Sequence, residues 1–174
     1  MTVFQDRLVI CSGANVFMSV SGDYFNFFRK SVLRVDPDDP VEVYGLGAEG
    51  DTIRGGSLID RNMILIGDKM HYAVSGREAI TPLNAIVSVQ ATTESTTDAQ
   101  PQGLGGLLFY GQYQGGVTKL HQMQVGAFAD SFDSFSVSQQ ITEYIKGRPR
   151  QLVSSSQPNM VLLSTAGYEH GVYV

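Results

Sequence analysis

The sequence is poor in charged residues, has one cysteine and lacks tryptophan altogether. Charged residues make up 17% of its 174 positions, and the formal net charge is −5. Because Cys11 stands alone in an apolar run, the chain has no disulfide framework and no thiolate metal site, and we expect Cys11 to be a small buried hydrophobe. No apolar run approaches the ~18 residues of a membrane span, and the N-terminus has no signal-peptide pattern.

Clustered positive charge is missing as well. The densest basic stretch, with Lys146, Arg148 and Arg150, holds only three charges. Tight binding to nucleic acid requires many Lys and Arg side chains that replace phosphate counterions, so the composition excludes it. A sparsely charged surface instead favours a chain that is partly covered by a neighbour.

Short apolar runs recur along the chain. They begin at Leu8, Met63, Leu107 and Met160, at intervals of 55, 44 and 53 residues. Each is associated with turn residues and a second β-prone run, and the first two units both close on Val-Ser-Gly. Continuous apolar runs are typical of strands that are buried on both faces.

Unequal repeats of roughly 40–55 residues, each with several strands, are typical of β-propeller blades. A β-sandwich with long loops explains the strands equally well but the spacing less well. Closed propellers have about four to eight blades. We therefore expect an all-β, antiparallel, multi-blade propeller-like segment. It forms one region over residues 1–174 and is a fragment of a longer chain.

Three segments interrupt the repeats. Residues 23–40 carry an aromatic cluster at Tyr24–Phe28, which we expect to bury against the sheet, with a contact surface as the alternative. An acidic turn with two prolines follows it. Residues 91–106 predict a loop, and residues 136–147 predict a short helix with a capping box and a terminal glycine. The acidic residues of the turn and the loop are the predicted exposed contact residues: Asp36, Asp38, Asp39, Glu94 and Asp98.

No catalytic, cofactor or metal site is predicted. His71, His121 and His170 lie 50 and 49 residues apart, which raises the question of a three-histidine metal site on a propeller axis. They lie 8, 14 and 10 residues past the start of their repeats, however, so they do not occupy equivalent positions. The acidic turn lacks the glycine and distal glutamate of a calcium loop, and no nucleophile elbow or phosphate-binding loop occurs.

Several short motifs carry a family resemblance. The chain has Gln-Asp-Arg-Leu at 5–8, Ser-Gly-Asp-Tyr-Phe-Asn-Phe-Phe at 21–28 and Ala-Ile-Thr-Pro at 79–82. Near the end stands Pro-Asn-Met-Val-Leu-Leu, at 158–163. In their order and spacing these motifs resemble the tail tubular protein B, or nozzle, family of T7-like podoviruses, whose members are several times longer.

The resemblance implies a non-enzymatic structural component of a short phage tail, located in the virion and without a cofactor. It implies a homo-oligomeric, hexameric ring that meets the tail adaptor protein and forms a conduit for double-stranded DNA without binding it specifically. The host surface is a further expected partner. A mildly acidic chain suits a conduit, because a basic wall would hold DNA.

Two other classes of function are consistent with the strand pattern. One is a stand-alone binding propeller that recognises a peptide or a surface glycan. The other is a propeller hydrolase that acts on surface polysaccharide, since the carboxylate pairs of glycosidases are spatial and leave no sequence motif.

Overall fold

The computed structural model describes residues 1–44, 50–91, 99–127, 131–141 and 143–174. These residues form fourteen β-strands, and every strand pairing is antiparallel. The chain divides into two compact units, Met1–Thr92 and Thr93–Val174. The predicted all-β antiparallel class is confirmed.

The first unit contains two four-stranded sheets in which each strand pairs with the next along the chain. The first sheet consists of β1 (Thr2–Phe4), β2 (Arg7–Ser12), β3 (Asn15–Met18) and β4 (Val41–Tyr44). The second consists of β5 (Ile53–Ile59), β6 (Asn62–Gly67), β7 (His71–Val74) and β8 (Val87–Ala91).

The second unit repeats this order. Its four-stranded sheet consists of β9 (Gln102–Leu104), β10 (Leu107–Gln114), β11 (Val117–Val125) and β12 (Phe132–Ser136). A two-stranded sheet follows, with β13 (Pro149–Ser156) and β14 (Asn159–Thr165). Tyr173 pairs with Leu163 on the free side of β14 through two backbone hydrogen bonds of 2.9 Å, which is where the third strand lies in the other sheets.

The four apolar runs all occupy the same place, since β2, β6, β10 and β14 are each the second strand of their sheet. The predicted burial on both faces is met in full only by β6, which is buried along its whole length. In β14 only Leu163 and Thr165 are buried. The repeat was therefore correctly located, while the depth of burial differs among its copies.

Tight turns set the register of the hairpins. Gln5 and Asp6 join β1 to β2 with φ of 47° and 58°, and Gly105 and Gly106 join β9 to β10 with φ of 60° and 81°. Positive φ at both central residues matches the right-handed twist of the strands, and glycine adopts it without steric cost.

Each unit has its own apolar core. In the first unit, strands of both sheets contribute large side chains, among them Met18, Met63 and Tyr72, all with no exposed surface. Cys11 is half-buried against this core rather than fully buried. In the second unit, Phe109, Leu152 and Leu163 pack together.

The predicted helix over 136–147 is wrong for the residues that the structure describes there. Val137 N–H donates to the Leu120 carbonyl, Thr118 N–H donates to the Ile145 carbonyl, and Ser138 Oγ accepts from Leu120 N–H. The backbone thus bonds mainly to β11, and the local bond from Ile141 N–H to the Ser138 carbonyl closes a single turn. Of the expected apolar helix face only Ile145 is buried, so packing gives no reason for a helix to form.

The predicted loop over 91–106 is also corrected in part. Gln102–Leu104 forms β9 and pairs with β10. The glycines that indicated a loop are the two-residue turn of this hairpin. Within the described ranges, no helix is long and apolar enough to cross a membrane.

Candidate functional site

The most conspicuous surface of the first unit is the segment at residues 24–35, termed here the apolar loop, which lies between β3 and β4. Phe25 is 91% exposed, Phe28 82% and Leu33 97%, and Val32 is fully exposed. Soluble chains rarely leave so many large apolar side chains in water within one short segment. The expectation that the aromatic residues bury against the sheet is wrong, because only Phe27 is half-buried.

Polar contacts, not its aromatic rings, hold the start of the apolar loop in place. Val20 N–H donates to the Asn26 carbonyl at 2.8 Å, and Gly22 N–H donates to the Asp6 carbonyl at 2.9 Å. The Tyr24 hydroxyl donates to Asp6 Oδ1 at 2.8 Å, and this bond raises the pKa of Tyr24. The aromatic faces are therefore left free to contact another surface.

A buried arginine holds the far end of the apolar loop. Arg7 is only 2% exposed, and its guanidinium donates to the carbonyls of Ser19 (2.7 Å), Pro37 (2.8 Å) and Asp39 (2.8 Å). It also reaches the Ile80 carbonyl at 3.3 Å. Five donors in a planar fork suit Arg to this clamp, which a lysine could not reproduce.

Two opposing effects act on the charge of Arg7. Burial lowers its pKa, and the neighbouring carboxylates Asp38 and Asp39 oppose that effect by raising it. The guanidinium remains protonated in proteins under ordinary conditions. Arg7 therefore acts as a permanent cation that ties the acidic turn to the sheet.

The predicted contact residues of the acidic turn differ in exposure. Asp38 is exposed, and Asp36 is half-buried and pairs with Arg34 at 2.9 Å. Asp39 is only 1% exposed, which corrects its expected exposure. Its carboxylate accepts the backbone N–H groups of Asp36 (2.9 Å) and Lys30 (3.5 Å), so it closes the turn from inside.

The remaining predicted contact residues, Glu94 and Asp98, lie outside the described residues. A contact role for any of the five acidic residues stays a prediction. Across the described ranges, no three His, Cys, Asp or Glu side chains gather as metal ligands would.

The three histidines occupy different positions, as their register predicts. His71 is buried at the start of β7 in the first unit. In the second unit, His121 stacks on Tyr110 within the sheet and His170 is exposed in the turn after β14. Of the basic stretch, Lys146 and Arg148 are exposed, and Arg150 pairs with Glu169 at 3.1 Å.

Sequence reasoning missed two charged residues that organise the first unit. Arg7 is one, and Asp51 is the other. The Asp51 carboxylate accepts Thr52 N–H (2.8 Å), Lys69 N–H (2.9 Å) and the Tyr72 hydroxyl (2.6 Å). A charge directly beside an apolar run was the only signal for Arg7, and no local signal marked Asp51.

The apolar loop is also distinctive in charge. It contains Arg29, Lys30 and Arg34, which are three of the 12 basic residues of the chain, and none of the 17 acidic ones. All three basic residues are exposed. The loop is thus a basic apolar surface on an otherwise acidic protein, and it complements the charge of the rest of the chain.

Comparison with known proteins identifies the relatives of this chain. The family model described as bacteriophage nozzle protein matches residues 1–174. The chain is also similar to the "Tail tubular protein gp12" of Escherichia phage T7, with 20% identity over 119 residues. That alignment covers 68% of this chain and 15% of the phage T7 protein, so the chain spans only a small part of the length of this relative.

Proposed function

This chain belongs to the bacteriophage nozzle protein family, and from that premise we propose that it forms part of the tail conduit through which phage DNA leaves the capsid. Family membership makes it a structural protein of the phage tail, located in the virion. The family match over residues 1–174 carries the proposal. The same match does not favour the alternative hypothesis of a stand-alone binding propeller.

The repeated sheets are proposed to be blades of one propeller-like region over residues 1–174. Three sheets of four consecutive antiparallel strands support this, as does the fourth sheet with its strand pair and Tyr173. Each apolar run is the second strand of its sheet, as expected for copies of one structural unit.

The conduit role is consistent with the charge of the chain. With 17 acidic and 12 basic residues, the protein should repel DNA weakly instead of holding it. We propose that double-stranded DNA passes without specific binding, that the tail adaptor protein and the host surface are further partners, and that the chain has no catalytic activity.

The apolar loop is proposed to be a contact between copies of this chain in a homo-oligomeric ring, a hexamer by family resemblance. Covering a side chain such as Phe25 or Leu33 stabilises an interface by about 1.5–3 kcal/mol. The loop cations Arg29 and Lys30 would meet the acidic surface of the second copy, which steers association and fixes register. Charge complementarity therefore favours a second copy as the occupant.

Sedimentation velocity over a range of concentrations tests this contact. We expect the chain to self-associate, and we expect the triple variant Phe25→Ser, Val32→Ser, Leu33→Ser to remain monomeric with an unchanged unfolding midpoint. The matched control is Leu83→Ser with Ile86→Ser, two exposed apolar residues of the same unit outside the loop. A monomeric unmodified chain, or equal loss of association in the control, would contradict the proposal.

The location in the tail conduit is tested by electron microscopy of intact virions. An epitope inserted at the exposed Gly105–Gly106 turn and labelled with gold-conjugated antibody should mark the tail below the capsid. A phage that assembles and infects but carries the label elsewhere on the particle would overturn the proposal.

A further inference from the structure

The second unit carries an open groove of about 610 Å³ on its four-stranded sheet. Side chains from β10, β11 and β12 and from the segment after β12 line it, and most of them are amides or hydroxyls. Volumes of about 300–1,000 Å³ are usual for small-molecule sites. The groove lies far along the chain from the apolar loop, and nothing in the tail role explains it.

Strand register explains how the groove arises. Tyr110 lies opposite His121, Gln112 lies opposite Lys119, and His121 lies opposite Ser136. Since alternate residues of a strand share a face, these side chains lie on one face of the sheet. On the same face, toward the other end of the strands, Leu108 and Met123 are completely buried. The face therefore changes along its length from apolar core to a groove that combines polar groups with apolar surface.

Two polar atoms at the floor of the groove have no hydrogen-bond partner in the described part of the chain. They are Nε2 of His121 and Oγ of Ser136, and both are shielded from solvent. A buried polar group without a partner costs about 1–3 kcal/mol, so native structures seldom keep one without a reason. These two residues face each other directly across the strand pair.

The imidazole of His121 is held in a fixed orientation. Its ring stacks on Tyr110 with centroids 5.3 Å apart and an interplanar angle of 17°, and the Tyr110 and Ser134 hydroxyls lie 2.5 Å apart. Burial, and secondarily Lys119, lower the pKa of His121. A neutral imidazole has one donor and one acceptor nitrogen, while the Ser136 hydroxyl reorients by rotation about one bond.

The walls of the groove favour an uncharged ligand with many hydroxyl groups. The side-chain amides of Gln112, Gln114 and Gln139 both donate and accept hydrogen bonds, and none of them is bonded to another described residue. Among the described lining residues, Lys119 is the only cation and Glu143 the only anion. A phosphate or an acidic polymer would require a cluster of positive charge, which this lining lacks.

We propose that this groove binds a neutral hexose oligosaccharide. Sugar hydroxyls would bond to the glutamine amides and to Ser136, which turns toward the ligand, while the apolar face of a pyranose ring would contact the apolar lining residues Val117 and Ile141. The site is a binding site and involves no covalent step. It is independent of the proposed conduit role, so either proposal can fail alone.

The test is an NMR titration of the chain with maltoheptaose, cellohexaose and mannohexaose as probes. At least one probe should shift the side-chain signals of Gln112, Gln114 and His121 in a saturable manner. Ser136→Ala should weaken that binding by about 5- to 10-fold, as expected for one lost hydrogen bond. His121→Phe keeps an aromatic ring against Tyr110 but removes the ring nitrogens, so it should also weaken the binding of that probe.

Thr165→Val is the matched control. The Thr165 hydroxyl is also buried in the second unit without a partner, but it does not line the groove, so its loss should leave the affinity unchanged. The proposal is overturned if none of the three probes binds, if the shifts lie outside the groove, or if Ser136→Ala binds as tightly as Thr165→Val.

Discussion

Replacing Arg7 should destabilise the first unit more than any other single change of a charged residue. Arg7→Met keeps the apolar stem but removes the guanidinium. The buried carbonyls of Ser19 and Asp39 then lose donors that now lie at 2.7 and 2.8 Å. Because each buried acceptor without a partner costs about 1–3 kcal/mol, we expect a loss of about 3 kcal/mol.

This loss is large against the free energy of unfolding of a typical domain, about 5–15 kcal/mol. For a unit of this size it corresponds to a fall in melting temperature of about 12–24 °C. Arg7→Lys keeps the charge but presents a single ammonium, so its effect should be intermediate.

Urea unfolding followed by far-UV circular dichroism measures the loss. Hydrogen exchange of the Ser21 and Gly22 amides, which donate to Asp38 and Asp6, assigns it to the first unit. The control is Arg34→Met, whose ion pair with Asp36 is largely exposed and is worth at most about 1 kcal/mol. If the two Met variants unfold within about 0.5 kcal/mol of each other, the clamp role of Arg7 is refuted.

Two further predictions concern the second sheet. Burial alone would raise the pKa of Asp51, but hydrogen bonds from Tyr72 and three backbone N–H groups outweigh it and lower the pKa. The stabilisation that Asp51 contributes is therefore fully present above the pKa of an unfolded Asp, about 3.9, and is lost as the pH falls through the lower pKa of the folded state. Asp51→Asn should lower the free energy of unfolding by about 1–3 kcal/mol at neutral pH. In urea unfolding at a series of pH values, the variant should lose less stability on acidification than the unmodified chain, and an equal loss would contradict the assignment. Gly76→Ala places a Cβ 2.0 Å from the Arg61 carbonyl oxygen and should cost about 1–3 kcal/mol. A Cβ at Gly171 would have no atom closer than 3.8 Å, so Gly171→Ala should leave the melting temperature unchanged. Equal melting temperatures of the two variants would contradict the steric reasoning.

The repeat was predictable because a buried strand consists of a short continuous run of apolar residues, which is visible in the local sequence. Runs such as Met63–Ile66 can only be strands or core helices, and their spacing indicated sheets of several strands. The order of the first three strands in each four-stranded sheet follows, since consecutive strands joined by turns of two or three residues must be antiparallel neighbours. The fourth strand comes after a longer connection, so its pairing does not follow from turn length.

The helix prediction failed because periodicity does not report what a face packs against. Val137, Ile141 and Tyr144 have helical spacing, yet all three are exposed. Backbone groups of this segment bond instead to the edge of β11, and long-range pairing of that kind leaves no local pattern.

Neither candidate site could be assembled from sequence alone. The aromatic residues of the apolar loop look like core residues by composition, and only the hydrogen bonds of Gly22 and Tyr24 show that the segment is held without burying them. The oligosaccharide groove depends on cross-strand register, which brings His121 opposite Ser136. Register is set by turn geometry over the whole sheet, so no short motif encodes it.

In the first unit, stability and association depend on different residues. Arg7 and Asp39 hold the acidic turn through buried polar contacts, whereas Phe25, Val32 and Leu33 contribute almost no area to the core. A substitution at these three positions therefore removes apolar contact area without opening a cavity, which is the usual cause of destabilisation. Selection for solubility alone would replace such residues with polar ones. Their exposure therefore supports the proposal that a second copy covers this surface when the tail is assembled.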